Sequence, residues 1–488
     1  MSKKNQNYTN RNRNRFQPER MRGNVFVNNN GKRWLPGENG RAAKVERLLK
    51  GAKEEKKEIA GNMAGYKDSG VEWIGTVPEG WKISRMGNIA TYINGYAFKP
   101  KDWSDDGKMI VRIQDLTGSS NCPNHYNGLL PSKYLIQKDD ILISWAATLD
   151  AFLWNKEDAW LNQHIFKVEH NKNVVNKHFM FWLSKVAMQN MSKEKRGIMM
   201  EHVKIDAFSK YKIPLPPLPE QQRIADFLDA KCGILDRTID AVSRQIEDLE
   251  KYKKALITKT VTKGICKKGE PERAMKDSGV EWIGEVPEEW SVKRLKYVLD
   301  SIRNGASAAS YEYEPGSFRY VRITDIDDNG NLKQTGKQYL PKEMAKNFIL
   351  NKKAVLIANT GSLGKAMLFD PDKENEVCAL NGHLIEAIAN PNIISNEYLY
   401  FFIKSYNYIN WVNRSYVQTT MQMLSAGRHK NLPVTVPPLA EQQQIADYLD
   451  EKCKNIDNRV QKRKQQLEWL KEYKKSLIFD YVTGKKRV

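Results

Sequence analysis

The sequence KDSGVEWIG occurs twice in the chain, and this repetition constrains the fold more than any other feature. The first copy begins at Lys67 and the second begins 209 residues later, at Lys276. A second motif is repeated at a spacing of 221 residues, as PPLPEQQRIADFLDAKC from Pro216 and as PPLAEQQQIADYLDEKC from Pro437. Long, nearly identical segments at matching positions indicate duplicated structural units. We therefore expect two copies of one unit, each opened by the first motif and closed by the second, around middle segments that have diverged.

Each closing motif leads into a segment whose apolar residues repeat with the period of a coiled coil. One apolar series returns every seven residues, and a second series lies four residues further on, which is the a/d pattern of a heptad. The seam positions are Leu228, Leu235, Ile239, Val242, Ile246, Leu249 and Leu256 in the first segment and Leu449, Ile456, Val460, Leu467, Leu470 and Leu477 in the second. Arg463 interrupts the second seam. We expect two long helices that pair with each other; the alternative is that each helix packs on its own domain.

The segments between the motifs have the composition of short strands. Four runs are rich in β-branched residues, which favour strands. These runs are MIVRI (109–113), DILIS (140–144), FRYVRI (318–323) and AVLIA (354–358). Each middle segment ends in an aromatic stretch of helical character, at 178–186 and 397–405. The predicted fold class is α+β, with two duplicated domains of mixed α/β, mostly β structure joined by the two long helices.

The motifs also set the predicted domain boundaries. These give a basic N-terminal extension (1–62), a first variable domain (63–215), a first spacer helix (216–264), a second variable domain (265–436), and a second spacer helix with a C-terminal tail (437–488).

The chain is strongly basic. Its 79 Lys and Arg residues against 58 Asp and Glu residues leave a net charge of +21, and residues 1–62 alone hold 16 Lys and Arg against 6 Glu. An excess of this size indicates a polyanionic partner, of which nucleic acid is the first candidate. The N-terminal extension is rich in Asn and Arg and is expected to be partly disordered. It is either a solvated tail that precedes a start at Met63 or a basic arm that contacts DNA.

No catalytic or metal-binding motif accompanies these features. The five cysteines form no CxxC pair, and the seven histidines show no metal-ligand spacing. The segment NTGSLGKA (359–366) departs from a phosphate-binding loop at Asn359 and Ala366. There is no run of about 18 apolar residues, so we expect neither a membrane span nor export, and a cytoplasmic protein. We expect a chain without an active site and without a metal or cofactor of its own.

Polar and basic side chains at duplicated strand ends and loops form the candidate DNA-binding set. Arg112 and Gln114 end one predicted strand, and Arg322 and Thr324 end its duplicate. Such side chains can bind base edges or phosphate. For any single residue a solvated or structural role is the alternative, whereas the set as a whole favours DNA contact. The set consists of Asn94, Tyr96, Lys99, Arg112, Gln114, Asn162, Gln163, His164, Lys195, Arg196, Arg303, Asn304, Arg319, Arg322, Thr324, Asn359, Lys365, Asn381, His383, Arg414, Gln418, Thr419, Arg428 and Lys430.

The two motif pairs closely resemble those of the specificity subunit of type I restriction-modification enzymes. The resemblance covers residues 63–485 and leaves out the basic extension. It implies that each variable domain is a target recognition domain that reads one half of a bipartite, asymmetric, gapped sequence in double-stranded DNA. It also implies that the two helices pair as an antiparallel coiled coil with pseudo-twofold symmetry, and that they set the gap. Arg463 then either controls the register of the helices or meets a partner subunit.

The same resemblance implies the partners and their cofactors. Two modification (methyltransferase) subunits would bring S-adenosylmethionine and methylate adenine at N6. Restriction (translocase/nuclease) subunits would add translocation and cleavage that depend on ATP and Mg. The chain itself would be non-catalytic and would work in the bacterial or archaeal cytoplasm.

Two other classes of function are alternatives. A self-contained DNA-binding scaffold or repressor would use the same duplicated domains without a methyltransferase partner. An enzyme fused to its own specificity domains is disfavoured, because the aromatic-flanked Asn/Asp-Pro-Pro tetrapeptide of adenine methyltransferases is absent from the sequence.

Overall fold

The computed structural model describes most of the chain in several segments. The described residues are 26–27 and 33–34 (backbone only), 65–120, 122–194, 205–265, 269, 273–327, 330–361, 364–415 and 424–488. The chain forms two compact units, the first containing residues 1–231 and 475–488 and the second containing residues 232–474. The unit boundaries fall inside the two long helices, whereas the sequence-based division places its boundaries at the helix starts. Apart from two short strands, the predicted N-terminal extension (1–62) lies outside the described residues.

Short strands dominate the first unit. They are β1 (Phe26–Val27), β2 (Arg33–Trp34), β3 (Tyr66–Asp68), β4 (Thr76–Pro78), β5 (Lys82–Arg85), β6 (Ala90–Asn94), β7 (Lys108–Val111), β8 (Asn124–Tyr126), β9 (Leu135–Ile136), β10 (Ile141–Ser144), β11 (Asp150–Leu153), β12 (Ala159–Leu161), β13 (Ile165–His170) and β14 (Lys212–Leu215). One sheet has the antiparallel order β11–β10–β13–β6, and another has the order β8–β7–β12–β9. In the second of these, β7 and β12 are parallel.

The second unit repeats this arrangement. Its strands are β15 (Met275–Asp277), β16 (Glu285–Pro287), β17 (Ser291–Arg294), β18 (Leu299–Asn304), β19 (Phe318–Val321), β20 (Tyr339–Leu340), β21 (Ala354–Ala358), β22 (Ala366–Phe369), β23 (Cys378–Leu380), β24 (Leu384–Ala389) and β25 (Pro433–Val436). The antiparallel order β22–β21–β24–β18 matches that of β11–β10–β13–β6. Strands β19 and β23 are parallel, as are β7 and β12. Both variable domains therefore have one fold.

The central strands are apolar because both of their faces are covered. All five residues of β21 are buried, and so are all four residues of β10. Continuous apolar runs are typical of strands buried on both faces, whereas a half-exposed strand would alternate. The predicted run AVLIA coincides with β21, and DILIS overlaps β10 (Ile141–Ser144).

The helices differ greatly in length. They are α1 (Met86–Ile89), α2 (Ile113–Thr117), α3 (Lys177–Glu194), α4 (Ile205–Lys210), α5 (Leu218–Lys263), α6 (Lys342–Ala345), α7 (Asn396–Ile403), α8 (Tyr406–Ser415), α9 (Ala426–His429) and α10 (Leu439–Val482). The aromatic stretch of the first domain lies in α3, whereas that of the second domain lies in α7 and ends before α8. None of the helices in the described part of the chain is long and apolar enough to cross a membrane.

The repeated EQQ sequence fixes the start of each long helix to its domain. The buried Gln221 donates through Nε2 to the Pro216 carbonyl at 2.8 Å and accepts the Asn176 N–H through Oε1 at 2.7 Å. The buried Gln442 makes the same contacts with the Pro437 carbonyl at 2.8 Å and the Ser395 N–H at 2.8 Å. A carboxamide that uses both of its polar atoms in a buried site holds the helix at one orientation.

The tryptophan that follows each opening motif is held by the glutamate of the same EQQ sequence. Trp81 donates to Glu220 Oε2 at 3.1 Å, and Trp290 donates to Glu441 Oε2 at 2.9 Å. Both indole rings are buried, at 1% and 0% exposure. The segment that follows each opening motif is therefore in contact with the closing motif, although 139 residues separate the bonded pair in the first repeat and 151 in the second.

Within the second unit, α5 and α10 run antiparallel along each other. Asp236 contacts Lys474 at 2.5 Å, Glu250 contacts Lys464 at 3.4 Å, and Lys253 contacts Asp457 at 2.5 Å. Residue numbers fall on one helix as they rise on the other, which defines an antiparallel pair. The duplicated domains and the paired helices confirm the predicted fold class.

The seam residues lie on the inner side of the long helices. Those that are buried are Leu228, Leu235, Val242, Ile246, Leu449, Ile456, Val460, Leu470 and Leu477, and those that are half-buried are Ile239, Leu249, Leu256 and Leu467. Arg463 is also half-buried, and its guanidinium donates to Gln466 Oε1 at 2.7 Å. The long Arg side chain can lie along the seam while its head remains hydrogen-bonded at the edge.

The C-terminal end of α5 is inserted into the core of the second domain. The Val261 carbonyl, in the last turn of the helix, accepts hydrogen bonds from Thr435 Oγ1 at 2.7 Å and from the Tyr398 hydroxyl at 3.0 Å. Carbonyls of a last helical turn have no partner within the helix. Two buried hydroxyls of the second domain act as hydrogen-bond donors to the Val261 carbonyl.

Candidate nucleic-acid interface

In the first domain, the segments that follow β6, β7 and β12 meet at the carboxyl end of a parallel strand pair. In that pair, Val111 of β7 lies opposite Leu161 of β12. Arg112 and Asn162 follow these strand ends and lie at the same edge of the sheet. The loop after β6 joins them, because Tyr96 donates its N–H to the Leu161 carbonyl at 2.8 Å and accepts the Gln163 N–H at 3.0 Å. We call this convergence the sheet-edge site of the first domain.

The second domain forms the same site from its own strands. Val321 of β19 lies opposite Leu380 of β23, and Arg322 and Asn381 follow them. The Ala306 N–H donates to the Leu380 carbonyl at 2.9 Å, and the Ala306 carbonyl accepts the Gly382 N–H at 2.6 Å. The two sheet-edge sites are thus built by equivalent segments.

A glycine at the loop allows this close approach in both domains. A Cβ atom on Gly95 would lie 2.1 Å from the Asn162 carbonyl oxygen, and one on Gly305 would lie 2.3 Å from the Asn381 carbonyl oxygen. No other residue fits such a contact. The glycines of the segments INGYAF and IRNGAS therefore serve the contact between loop and turn.

The arginine at each site is tied to an aspartate three residues later. Asp115 accepts the Arg112 N–H at 2.9 Å and lies 3.8 Å from its Nε atom. Asp325 accepts the Arg322 N–H at 2.9 Å and two guanidinium hydrogen bonds, which raises the pKa of Arg322 above its usual range. The aspartates cap a helical turn that starts where we expected strand to continue. The sequence suggested that Arg112 and Arg322 end a strand. In the structure, each is instead the N-cap residue of a helical turn.

The histidine of each turn has a different environment in the two domains. His164 packs against the Trp145 ring at 5.4 Å between centroids, and its Nε2 atom lies 3.3 Å from Gln163 Nε2. His383 is exposed, and its Nδ1 atom lies 3.2 Å from the Thr360 hydroxyl. The framework is shared, whereas the side chains presented on it differ.

The other candidate residues vary in exposure. Exposed candidates are Asn94, Tyr96, Lys99, Gln114, Asn304, Thr324, His383, Arg414, Arg428 and Lys430, and half-buried candidates are Arg112, Asn162, Gln163, His164, Arg303, Arg322 and Lys365. The candidates Lys195, Arg196, Gln418 and Thr419 lie outside the described residues.

Three candidates are buried, and the structure corrects their assignment as DNA contacts. Arg319 is 2% exposed, donates to the Lys333 carbonyl, and lies 3.5 Å from the carboxylates of both Glu374 and Glu376. Its charge is balanced inside the domain, and a buried guanidinium cannot reach DNA.

Asn359 and Asn381 hold the turn of the second domain from within. Asn359 is fully buried and donates through Nδ2 to the Gly382 carbonyl at 2.9 Å. Asn381 is 8% exposed and accepts the His383 N–H at 2.9 Å. Both asparagines shape the sheet-edge site rather than contact DNA.

Two further candidates use their polar atoms within the domain. Arg303 donates through Nε to the buried Glu386 and through its terminal nitrogens to the carbonyls of Asn347 and Ile349 at 2.7 and 2.8 Å. Asn304 accepts the Ala426 N–H at 3.0 Å. These contacts give Arg303 and Asn304 structural roles.

Arg414 is bound by the opening motif of its own repeat. Its guanidinium donates two hydrogen bonds to Glu281, at 2.9 and 3.0 Å, and lies 5.2 Å from the Trp282 ring centroid. Hydrogen bonds from Arg414 lower the pKa of Glu281 below its usual range. Glu281 of the second KDSGVEWIG copy thus anchors the helix α8 that carries Arg414.

Some residues of the sites were not found from the sequence. Trp145 contacts His164, but it directly follows the strand-like run DILIS and was not among the candidate residues. Gln221 and Gln442 are part of a repeated motif, and repetition was the signal that could have marked them as structural. In the described part of the chain, no group of three or more His, Cys, Asp or Glu residues could hold a metal ion.

The comparison with known families identifies this architecture. Residues 78–251 and 287–469 each match the family described as type I restriction modification DNA specificity domain. The chain belongs to this family and contains two copies of its domain. This match confirms the predicted family and the predicted role in DNA sequence specificity.

Individual relatives agree with the family assignment. The chain is 24% identical over 438 residues to the type I restriction enzyme MjaVIII specificity subunit of Methanocaldococcus jannaschii, a match that covers 84% of this chain and 94% of that one. It is 23% identical over 382 residues to the EcoBI specificity subunit of Escherichia coli, covering 76% and 78% of the two chains. Relatives of this kind do not favour the alternative of a stand-alone scaffold or repressor.

A solved structure shares the fold. It comes from a study of complex assembly and conformational transition of the type I R-M system, and it aligns with a TM-score of 0.61 at 18% identity over 84% of this chain and 99% of that one. At this level of identity the likeness shows the fold alone.

Proposed function

We propose that this chain is the DNA-specificity subunit of a type I restriction-modification complex, in which each variable domain reads one half of a bipartite, gapped target. The observation that carries the proposal is that the two sheet-edge sites have one framework and different side chains. Tyr96 stands where the second domain has Ala306, and Gln163 stands where it has Gly382. Two readers with different side chains favour different base pairs, and the target is therefore asymmetric.

The paired helices set the gap between the two half-sites. Helix α5 has 46 residues and α10 has 44, which at about 1.5 Å per residue gives rods of about 65–70 Å. One turn of DNA is about 34–36 Å long, so a stiff connector of this size can hold two readers at a fixed number of base pairs. Tethering also makes the second contact intramolecular and turns two weak half-site interactions into one specific interaction.

The positive charge supports binding of the DNA backbone. The exposed Lys99 follows Tyr96 of the first sheet-edge site by three residues in the sequence. In the second domain, Arg428 lies in α9 and Lys430 is the residue that ends this helix. Contacts between basic side chains and phosphates supply affinity and lower it as the salt concentration rises. Base-edge contacts from the sheet-edge sites add the sequence preference.

Two modification subunits bind the chain through surfaces that the duplication repeats. Leu218 and Leu439 are equivalent residues at the starts of α5 and α10, and they are 39% and 43% exposed. Next to them, Gln222 binds Asp226 at 2.8 Å and Gln443 binds Asp447 at 2.9 Å, again on exposed positions. A partner that binds the chain twice would meet the same exposed leucine at the start of both helices.

The partner subunits carry the chemistry. The modification subunits bind S-adenosylmethionine and methylate adenine at N6, and restriction subunits use ATP and Mg to translocate and cleave DNA. The chain contributes the choice of sequence and the spacing of the two sites. It works in the cytoplasm of its host, where these partners and their cofactors are present.

The test is to express the chain with a modification subunit of its proposed complex and to map N6-methyladenine across a host genome. We expect one motif made of two unlike halves separated by a fixed number of unspecified base pairs. An ungapped motif, a motif with two identical halves, or the same methylation in the absence of this chain would contradict the proposal.

A further inference from the structure

The two sheet-edge sites separate residues that build the site from residues that differ between the domains. The shared residues are engaged inside each domain: Arg112 and Arg322 with their aspartates, and Gly95 and Gly305 with the turns beside them. Because these residues are the same in both domains, they cannot distinguish two half-sites. The base preference must come from the positions that differ.

Gln114 is the first of these positions. It lies in α2, between the linked residues Arg112 and Asp115, and its counterpart in the second domain is Thr324. Gln114 is exposed, and among the described residues its carboxamide makes no hydrogen bond with the protein. The cap fixes the turn, and the carboxamide of Gln114 remains available for a ligand.

Gln163 is the second position. Its backbone N–H binds the Tyr96 carbonyl, which fixes the turn, while its side chain makes one long contact of 3.3 Å from Nε2 to His164. The counterpart is Gly382, where a Cβ atom would lie 2.8 Å from the Ala306 carbonyl oxygen and 2.9 Å from the Ser307 hydroxyl. The second domain therefore excludes a side chain at the point where the first domain presents a carboxamide.

We propose that Gln114 and Gln163 are specificity-determining residues of the first domain, and that their carboxamides read adenines through the major groove. The inference rests on the function proposed above. A carboxamide offers one donor and one acceptor side by side, which match N7 and the N6 amino group of adenine. The second domain has the hydroxyl of Thr324 and no side chain at Gly382 in these two positions, so it reads its half-site in another way.

The experiment uses the full chain assembled with its modification subunits and compares methylation motifs. In Gln114→Ala and Gln163→Ala, one adenine position of the first half-site relaxes in each variant. The preference there falls by about 5- to 150-fold, the range for one bidentate base contact. In Gln114→Glu and Gln163→Glu, the same position shifts toward cytosine, because a carboxylate accepts from the cytosine N4 amino group. The second half-site and the gap stay unchanged and report that the variants fold.

Two matched controls come from the same chain. Gln137 is an exposed glutamine beyond β9, and the register Ile136 opposite Ala159 places it at the other end of β12 from the turn. Gln137→Ala therefore leaves the motif unchanged. Thr324→Ala alters the second half-site only.

The outcomes distinguish this inference from the proposed function. If the unmodified chain directs no gapped motif, the proposed function fails. If it directs such a motif and all four glutamine variants keep the original first half-site, the inference is wrong. If a variant loses methylation, the complex assembled with that variant is mixed with a DNA library that is randomised over the first half-site, and the bound DNA is sequenced. An unchanged base preference in the bound DNA would also overturn the inference.

Discussion

The Nζ atom of Lys253 lies 2.5 Å from the Oδ2 atom of Asp457, and this contact has a duplicate on the same helix pair. Lys474 and Asp236, which are their equivalents at the 221-residue spacing, also lie 2.5 Å apart. Each ion pair is therefore the repeat of the other, as in the self-complementary interface of a twofold dimer. A duplicated gene segment has produced, within one chain, a helix pair in which both members use the same surface.

The first prediction concerns these ion pairs. Lys253 and Asp457 are mostly buried, with side chains 15% and 26% exposed, so Lys253→Glu should lower the free energy of unfolding by about 1 kcal/mol through like-charge repulsion. The double variant Lys253→Glu, Asp457→Lys should recover most of the loss. Urea unfolding of the full chain measures both.

The control for this prediction is Lys471→Glu on α10, the helix that carries Asp457. Lys471 pairs with Glu468 at 2.8 Å, but the two side chains are 45% and 67% exposed, and we expect almost no change in stability. A double variant that is no more stable than Lys253→Glu alone would show that the contact does not couple the helices.

The second prediction concerns the glutamates that bind the buried tryptophans. Glu441 accepts from Trp290 and also receives two hydrogen bonds from Arg273 at 2.5 and 2.9 Å, whereas Glu220 accepts from Trp81. Glu441→Gln should therefore destabilise the protein by about 1.5–3 kcal/mol, the range for charged hydrogen bonds, and Glu220→Gln by less than about 1 kcal/mol. Equal losses in thermal unfolding would contradict this difference.

The third prediction is a pH dependence from His429. This fully buried side chain donates through Nδ1 to the Ser425 carbonyl at 3.0 Å, so its Nε2 atom accepts from the Tyr408 hydroxyl at 2.8 Å. Burial lowers the pKa of His429 from 6.5 to about 4. The unfolded chain binds a proton near pH 6.5 while the folded chain does not, so stability is lost as the pH falls from about 6.5 to about 4, by about 3 kcal/mol in total.

The first domain suggests the variant that tests this pH dependence. Phe208 occupies the position equivalent to His429 in the first domain and is fully buried. His429→Phe, combined with Tyr408→Phe to remove the unpaired hydroxyl, should flatten the stability curve between pH 4 and 6.5. An unchanged slope in the variant would assign the loss to other groups.

The fourth prediction concerns the partner surface. Leu218→Arg and Leu439→Arg should leave the thermal stability of the chain unchanged, because both leucines are exposed, and each should remove one modification subunit from the assembled complex. Native mass spectrometry counts the subunits. Leu129→Arg, at a residue that is 93% exposed, is the control and should leave the count intact. If Leu218→Arg and Leu439→Arg both retain two modification subunits, these subunits bind a different surface of the chain.

The sequence predicted the repeated and periodic parts of the molecule well. The heptads predicted two long helices, which are α5 and α10 of the structure, because a seam held over several heptads has few alternative structures. The strand AVLIA was predicted because a short apolar run that contains β-branched residues and is bounded by polar residues favours a strand. These signals are local, and the sequence contains all of them.

The parts that were missed depend on contacts between distant residues. Arg319 looked like a surface charge on a strand, but its partners Glu374 and Glu376 are more than 50 residues away. The predicted strand through Arg112 stopped early because the Asp115 carboxylate caps a helical turn there. Which asparagines shape a turn and which face a ligand depends on packing that composition does not encode, as Asn359 illustrates.

If the two domains read DNA independently on one spacer, exchanging one domain changes one half-site only. Residues 82–213 are replaced by the corresponding block of a relative, the chain is assembled with its modification subunits, and N6-methyladenine is mapped by sequencing. We expect a new first half-site, with the second half-site and the gap unchanged. A motif in which both halves change, or in which the first half remains as it was, would contradict it.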